Sequence, residues 1–234
     1  MTEELYTETY LCILPNEFRI YLFDKKNLKN LYKQEIKSNN KHKDLDFNDL
    51  DKFLEENIFK IEKLAGYFIK KIFLIFENEN VSALNFGIKK KNYEKNINKR
   101  FLETILTDAK DLFRENYQNY YLMHILIIRY LENGNYHLSF NDTFKGDHLC
   151  VEFQFKHISK KYISKINNVL RKYQIDISGC MDGNYIRSQF VNNKMDFSEM
   201  IFKVQMGFNK NEVKLIPKNI KTSGFFEKFF QLFS

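Results

Sequence analysis

The order of apolar patterns along the chain limits the folds that it can adopt. Short runs rich in β-branched and aromatic residues predict strands, and they occur at 9–14, 18–23, 71–76, 81–88, 120–131, 149–155 and 175–177. Apolar residues three and four positions apart predict helices, and this spacing runs to Ala65 from a cap at Asp46 or Asn48, through 101–113, and from Ser159 to Leu170. A final hairpin is predicted from 200–208 and 212–216. Because strands and helices do not alternate regularly, the sequence predicts an α+β fold and not a Rossmann fold.

The composition indicates a continuous, compact protein. The chain has 234 residues, 44% of them hydrophobic, which is enough for one substantial core or two small domains. Pro15 and Pro217 are the only prolines, and no Gly/Ser-rich linker interrupts the chain. Cys12, Cys150 and Cys180 form no C-x-x-C pair, which favours a reducing, cytoplasmic location. No uncharged apolar run is long enough to cross a bilayer, so we expect any membrane contact to be peripheral.

The C-terminal stretch KTSGFFEKFFQLFS contains five phenylalanines in its last ten residues. On a helical wheel, one arc holds Phe225, Phe226, Phe229, Phe230, Leu232 and Phe233. The opposite arc is polar, and Lys221 and Lys228 supply positive charge. This pattern is typical of an amphipathic helix that lies in a membrane interface. The alternatives are a helix that packs on the chain's own surface and a helix that enters a partner's groove.

The formal net charge of +7 raises the question of an anionic partner. The densest basic stretch includes Lys89, Lys90, Lys91 and Arg100, and it forms a candidate patch for a lipid or a protein partner. Most lysines are scattered among glutamates and aspartates, which favours a solvated surface. A nucleic-acid-binding module that uses this stretch and nearby tyrosines is the alternative.

Residues for catalysis or metal binding do not converge in the sequence. The five histidines are dispersed, and His148 and His157 have acidic neighbours but no recurring ligand spacing. Asp108 and Asp111 lie within one helical turn, where solvated carboxylates are the simpler interpretation. The chain contains no G-x-S-x-G, P-loop or H-E-x-x-H motif. We therefore expect no catalytic residues, no metal and no cofactor, and a protein that is not an enzyme.

Four short stretches follow one another in the chain: KLAGYFIKKIFLIF (63–76), VSALNFG (81–87), RFLETILTDAKDL (100–112) and the strand with His124 and Tyr130. Together they resemble the bacterial actin-like cell-division family FtsA. KLAGYFIKKIFLIF (63–76) resembles that family's step from a helix through Ala-Gly into a strand, and VSALNFG (81–87) resembles its Ser-x-Asn-Ser-x-Gly stretch. RFLETILTDAKDL (100–112) is similar to the first helix of the subdomain inserted into the FtsA fold. His124 and Tyr130 match a His-x-Ile-Pro-x-x-Tyr strand without its proline. The resemblance covers about residues 44–178 and extends to type IV pilus assembly relatives.

The resemblance implies a particular domain organisation. It implies a remnant of an actin-like first lobe (8–80 plus 181–216), an inserted strand-helix-strand-strand subdomain (81–180), and a linker with a C-terminal amphipathic membrane-targeting helix (217–234). It also implies a glycine-rich phosphate loop in the first hairpin, where this chain has Leu14-Pro15-Asn16-Glu17. After the third predicted helix the sequence leads almost directly to the last hairpin and tail, so the resemblance implies that the second lobe of the actin fold is missing. We therefore expect a reduced relative that binds no nucleotide.

The sequence favours a peripheral scaffold of bacterial cell division on the cytoplasmic side of the inner membrane, without ATP hydrolysis. The expected partners are the lipid surface, divisome proteins and further copies of the chain, with no nucleic acid. A contact with the tubulin-like polymer FtsZ is not expected, since in FtsA that contact uses the second lobe. The nucleic-acid-binding module remains the alternative function.

Overall fold

The computed structural model describes residues 6–37, 45–93, 97–140, 144–191 and 194–214. The strands are β1 (Thr7–Leu14), β2 (Glu17–Asp24), β3 (Lys29–Lys37), β4 (Lys71–Phe76), β5 (Val81–Lys91), β6 (Tyr120–Glu132), β7 (Asn135–His137), β8 (His148–Ser159), β9 (Asp176–Asp182) and β10 (Glu212–Val213). The helices are α1 (Phe47–Ala65), α2 (Lys99–Asn116), α3 (Lys160–Arg171), α4 (Gly183–Ser188) and α5 (Phe197–Gln205). The predicted α+β class is confirmed.

The described residues form two compact units. Unit 1 contains the residues up to Val81 together with Ile158–Phe208, and unit 2 contains Ser82–His157 and the residues from Asn209. Unit 2 is thus mostly encoded between β4 and α3, within the sequence of unit 1.

Unit 1 is built on sheet A, a five-stranded mixed sheet in the order β3-β2-β1-β4-β9. β1, β2 and β3 form an antiparallel meander, whereas β4 and β9 run parallel to β1. Neighbouring residues of a strand point to opposite faces of a sheet. Helices pack on both faces of sheet A. The Phe18 ring lies 5.9 Å from Phe53 of α1, and the Phe23 ring lies 5.6 Å from Phe202 of α5. Residues 29–37 were not predicted as a strand, but they pair with β2 as β3.

Unit 2 is built on sheet B, whose strands lie in the order β10-β6-β8-β5, with β7 paired to β6. Asn133 and Gly134 have φ angles of 48° and 88°, and they make the predicted Asn-Gly hairpin between β6 and β7. One face of sheet B packs against α2. The buried core there includes Ile105, Phe113, Ile125, Val151, Phe153 and Phe155.

The predicted hairpin from 200–208 and 212–216 is wrong. Its first half lies largely in α5, whose buried residues are Phe197, Ser198, Met200, Ile201 and Val204. The apolar members of this set recur at helical spacing, which outweighs their β-forming side chains once they pack on sheet A. The second half contributes the short strand β10, which pairs with β6 through Glu212↔Leu126 and Val213↔Ile125.

The predicted subdomain boundary at residue 180 differs from the observed one. The units divide between His157 and Ile158, because β9 pairs in parallel with β4 and so belongs to sheet A with α3. Likewise β10, which was placed with the first lobe (8–80 plus 181–216), lies in unit 2. The predicted amphipathic helix in 217–234 lies outside the described residues. Among the described residues, no helix is long and apolar enough to span a membrane.

Candidate interaction surface

The residues predicted to bind membrane lie outside the described part of the chain, which ends at residue 214. They are Lys221, Phe225, Phe226, Lys228, Phe229, Phe230, Leu232 and Phe233. Their role remains a prediction.

The basic residues of β5 are divided between the two faces of sheet B. Leu84, Phe86 and Ile88 contact the core of unit 2, and strand alternation places Lys90 on that same face. There the Lys90 Nζ donates to Asp108 Oδ2 of α2 at 2.6 Å. Lys89 and Lys91 therefore lie on the opposite, outer face.

Lys91 and Arg100 lie in different settings. Lys91 Nζ is 5.2 Å from the centre of the Tyr93 ring. Arg100 is exposed in the first turn of α2, where Asn98 caps the helix by accepting from the Phe101 N–H at 2.9 Å. Since Lys90 is paired with Asp108 on the other face, the structure does not combine the four predicted residues into one continuous patch.

The outer face of sheet B carries polar side chains that pair across strands. Asn85 Oδ1 of β5 accepts from Gln154 Nε2 of β8 at 3.0 Å. Glu152 of β8 accepts from Arg129 Nε of β6 at 2.6 Å, and the Arg129 guanidinium lies 4.3 Å from the centre of the Tyr136 ring. Sequence reasoning did not identify this surface. The signal was available, since alternation places every second residue of 81–88 and 149–155 on the face away from the core.

An aromatic cluster surrounds a buried histidine in unit 2. The His157 ring lies 5.7 Å from Phe113, 5.4 Å from Tyr117 and 4.8 Å from Tyr120. His157 is 5% exposed, and its Nδ1 has no hydrogen-bond partner among the described residues. Burial lowers the pKa of His157, because the charged form is poorly solvated there. Within the described ranges, His, Cys, Asp and Glu form no group that could hold a metal ion.

The carboxyl ends of β1, β4 and β9 are where the actin-like resemblance implies a nucleotide, since open α/β sheets bind ligands at that edge. Glu17 Oε2 accepts from Arg19 Nη2 at 2.8 Å, and Glu77 Oε1 accepts from Arg187 Nε at 2.7 Å. Asp182 is buried and caps α4 by accepting from the Asn184 N–H at 2.9 Å.

These residues do not fit a nucleotide phosphate. Glu17 and Glu77 place two negative charges at this edge, which disfavours a phosphate there. Pro15 has no N–H to donate to a phosphate, and a side chain on Gly183 would meet the Glu77 side chain. The hydrogen bond from Arg19 also lowers the pKa of Glu17, which keeps a negative charge beside the first turn.

Comparisons with known proteins identify no family. No protein-family model and no curated protein match the chain. Among solved structures, it is similar to the cytoplasmic domain of EpsL, an inner membrane component of the type II secretion system of Vibrio cholerae, at 8% identity and a TM-score of 0.36 over 77% of this chain and 57% of that one. It is also similar to the PilM-PilN type IV pilus biogenesis complex, at 8% identity and a TM-score of 0.49 over 78% and 49% of the chains.

A third similar structure is a Bacteroides thetaiotaomicron protein of unknown function with an actin-like ATPase fold, at 12% identity and a TM-score of 0.33 over 82% of this chain and 60% of that one. The chain spans less than two thirds of the length of each of these proteins. With such low identities and TM-scores, these similarities assign neither a family nor a function.

Proposed function

We propose that this chain is a peripheral membrane scaffold of the actin-like, FtsA-related type. In this proposal unit 1 is a reduced actin-like lobe and unit 2 is an inserted interaction module. The segment 224–234 attaches the protein to lipid, and the finer assignment is a role in bacterial cell division.

The place of unit 2 in the chain carries this proposal. A strand-helix-strand-strand series, β5, α2, β6 and β8, lies between β4 and α3, and its strands make a separate sheet. The motif resemblance to FtsA implies such an insertion into an actin-like lobe. In this proposal sheet A, a meander followed by two parallel strands, is the sheet of that lobe.

The carboxyl edge of sheet A supports a structural role. Its carboxylates are paired with Arg19 and Arg187, and Pro15 stands where a phosphate loop needs a backbone N–H. A lobe of this kind supplies rigidity and surfaces for partners, and it does not depend on nucleotide.

The physical chemistry of the tail predicts weak attachment by a single copy. Each buried Phe contributes at most about 1.5–3 kcal/mol. Ordering the segment opposes this by about 1–2 kcal/mol for each residue. Several tails acting together raise the effective concentration of each, so membrane binding and self-association reinforce one another.

Vesicle co-sedimentation tests the attachment. We expect the full chain to bind vesicles that contain phosphatidylglycerol more strongly than neutral phosphatidylcholine vesicles. Phe229→Glu should abolish binding, because it places a charge on the apolar arc. The matched control is Gln231→Glu, which adds the same charge to the polar arc and should retain most of the binding.

Equal binding by the two variants would contradict the interfacial helix. Binding by a monomer as tight as that by the oligomer would contradict the cooperative part of the proposal. The assignment to cell division requires that a fluorescent fusion concentrates at the septum. Uniform membrane fluorescence would leave a scaffold without that assignment.

A further inference from the structure

The turn between β6 and β7 contains the one Asn-Gly pair of the sequence, Asn133-Gly134. Both residues have positive φ angles and both are exposed, and the strands on either side of them pair through Glu132↔Asn135. An asparagine that precedes glycine is prone to spontaneous deamidation, because glycine has no side chain to hinder attack by its own backbone nitrogen. The turn therefore exposes a chemically reactive pair.

The side chain of Asn133 holds a neighbouring segment of unit 2. Asn133 Nδ2 donates to the Lys145 carbonyl at 3.0 Å, and the Lys145 N–H donates to Glu132 Oε1 at 2.5 Å. Two adjacent side chains thus bind both backbone groups of Lys145. The contact is close, since a Cβ added to Gly146 would lie 2.9 Å from the Asn133 amide.

The segment 144–147 joins this hairpin to other parts of unit 2. The Ile97 N–H donates to the Phe144 carbonyl at 2.9 Å, and the Asn92 N–H donates to the Asp147 carbonyl at 2.7 Å. Ile97 and Phe144 also belong to the buried core of unit 2. A change at the turn can therefore reach the residues that follow β5 and precede α2.

We propose that Asn133 is a site of spontaneous deamidation, which the folded turn slows and whose products release the segment 144–147. The Gly134 backbone nitrogen attacks Asn133 Cγ and forms a cyclic imide. The Cγ–Nδ2 bond breaks, and Nδ2 leaves as ammonia with the proton of the Gly134 N–H. Water then opens the ring at one of its two carbonyls and leaves aspartate or isoaspartate. The reaction consumes water and needs no oxidant or reductant.

The folded turn opposes the first step in two ways. The hydrogen bond to Lys145 holds the amide, which must rotate before its Cγ can meet the Gly134 nitrogen. The pairing of Glu132 with Asn135 also fixes the backbone of the turn in one conformation, whereas the unfolded chain samples many. We therefore expect deamidation to be slower in the folded protein.

Both products weaken the attachment of the segment 144–147. Neither has the Nδ2 donor, so the Lys145 carbonyl loses its partner and meets a carboxylate, which is a second acceptor. Isoaspartate also adds a carbon to the backbone of a two-residue turn, which disturbs the pairing of β6 with β7. The inference goes beyond the proposed function and does not depend on it.

Peptide mass spectrometry of the full chain, kept at mildly alkaline pH, tests the site. In urea we expect Asn133 to convert before any other asparagine, and in the folded protein we expect it to convert several-fold more slowly. Glu132→Ala removes the acceptor of the Lys145 N–H and should speed the conversion in the folded protein. Glu132→Gln is the matched control, because it keeps an oxygen acceptor and should convert at nearly the wild-type rate.

Hydrogen exchange tests the release. Asn133→Asp reproduces one product, and in it the N–H groups of Ile97 and Asn92 should exchange faster than in the wild-type protein. Asn133→Gly is the control for charge. It also tolerates a positive φ and loses the donor, but it adds no carboxylate, so we expect an intermediate exchange rate.

Four outcomes would overturn the inference. In the first experiment they are equal conversion of Asn133 in the folded and the urea-unfolded protein, earlier conversion of another asparagine in urea, and equal conversion in Glu132→Ala and Glu132→Gln. In the second experiment it is wild-type exchange of the Ile97 and Asn92 N–H groups in Asn133→Asp.

Discussion

At the scale of single residues, His157 shows how the aromatic cluster controls protonation. Its ring is enclosed by Phe113, Tyr117 and Tyr120, and burial lowers its pKa. Rings of this kind solvate an imidazolium less well than water does. The folded protein therefore favours neutral His157 more strongly than the unfolded chain does.

The first prediction is a loss of stability in mild acid that depends on His157. Above its unfolded pKa of about 6.5, His157 is neutral in both states. As pH falls below that value, the unfolded chain takes up a proton more readily, so the free energy of unfolding decreases. Urea denaturation at about pH 7.5 and about pH 5.5 measures this decrease. His157→Phe, which cannot be protonated, should show a smaller decrease, and an equal decrease in both proteins would contradict the prediction.

Cys150 shows what the sequence leaves open at this scale. The alternation in 149–155 correctly predicts a strand, but it does not say on which face Cys150 lies. In the structure Leu149, Val151 and Phe153 are buried, so Cys150 lies half-buried on the other face, beside Gly87. Alternation separates two faces, but choosing the core face needs all the residues of the strand.

At the scale of elements, local signals predict the extent of the first helix, with its cap left between Asp46 and Asn48. Asp46 caps α1 by accepting from the N–H groups of Asn48 and Asp49 at 2.8 and 3.3 Å. Gly66 ends it with a φ of 78°, a conformation that glycine adopts without strain. Here the residues that determine the element all lie within it or beside it.

The second prediction concerns this cap. Asp46→Ala should lower the free energy of unfolding by about 1 kcal/mol, because two N–H groups at the start of α1 lose their acceptor. Chemical denaturation measures the change. Asn48→Ala is the control, since Asn48 is exposed and its backbone N–H is retained. A cost for Asn48→Ala as large as that for Asp46→Ala would assign the loss to helix content and not to capping.

The elements that the sequence did not predict depend on residues that lie far away in the chain. Residues 200–208 look like a strand by composition, but α5 forms because its apolar stripe packs on sheet A, with Phe202 against Phe23. β3 is polar and mostly exposed, and it is a strand because β2 offers an edge to pair with. The predicted boundary between the units differs from the observed one for the same reason. The pairing of β9 with β4 joins segments that are far apart in the chain.

At the scale of the whole molecule, the carboxyl edge of sheet A holds Glu17 and Glu77, and each of these carboxylates is paired with an arginine. From Pro15 and Glu17 the sequence predicts that this edge binds no nucleotide, and this stays a prediction. The ion pairs Glu17–Arg19 and Glu77–Arg187 could not be predicted as a site, because β2, the segment after β4, and α4 supply their members.

The third prediction is that MgATP does not stabilise the protein. A ligand that binds the folded state raises the melting temperature by mass action. We therefore expect the same melting curve with and without MgATP in large excess. A rise that MgADP reproduces and inorganic phosphate does not would show a nucleotide site and contradict the proposal.

The position of unit 2 in the chain also affects the order in which the protein can fold during synthesis. β1 to β4 and α1 leave the ribosome first, followed by β5 to β8. β9 follows them, so the edge of β4 that will receive β9 has no partner while unit 2 is being made. An unpaired strand edge is prone to aggregation, and chains fold largely from the N-terminus as they emerge. Rapid folding of unit 2 would bring β9 close to β4 and shorten the time for which that edge is unpaired. A variant of unit 2 that folds slowly would therefore increase aggregation through sheet A of the nascent chain.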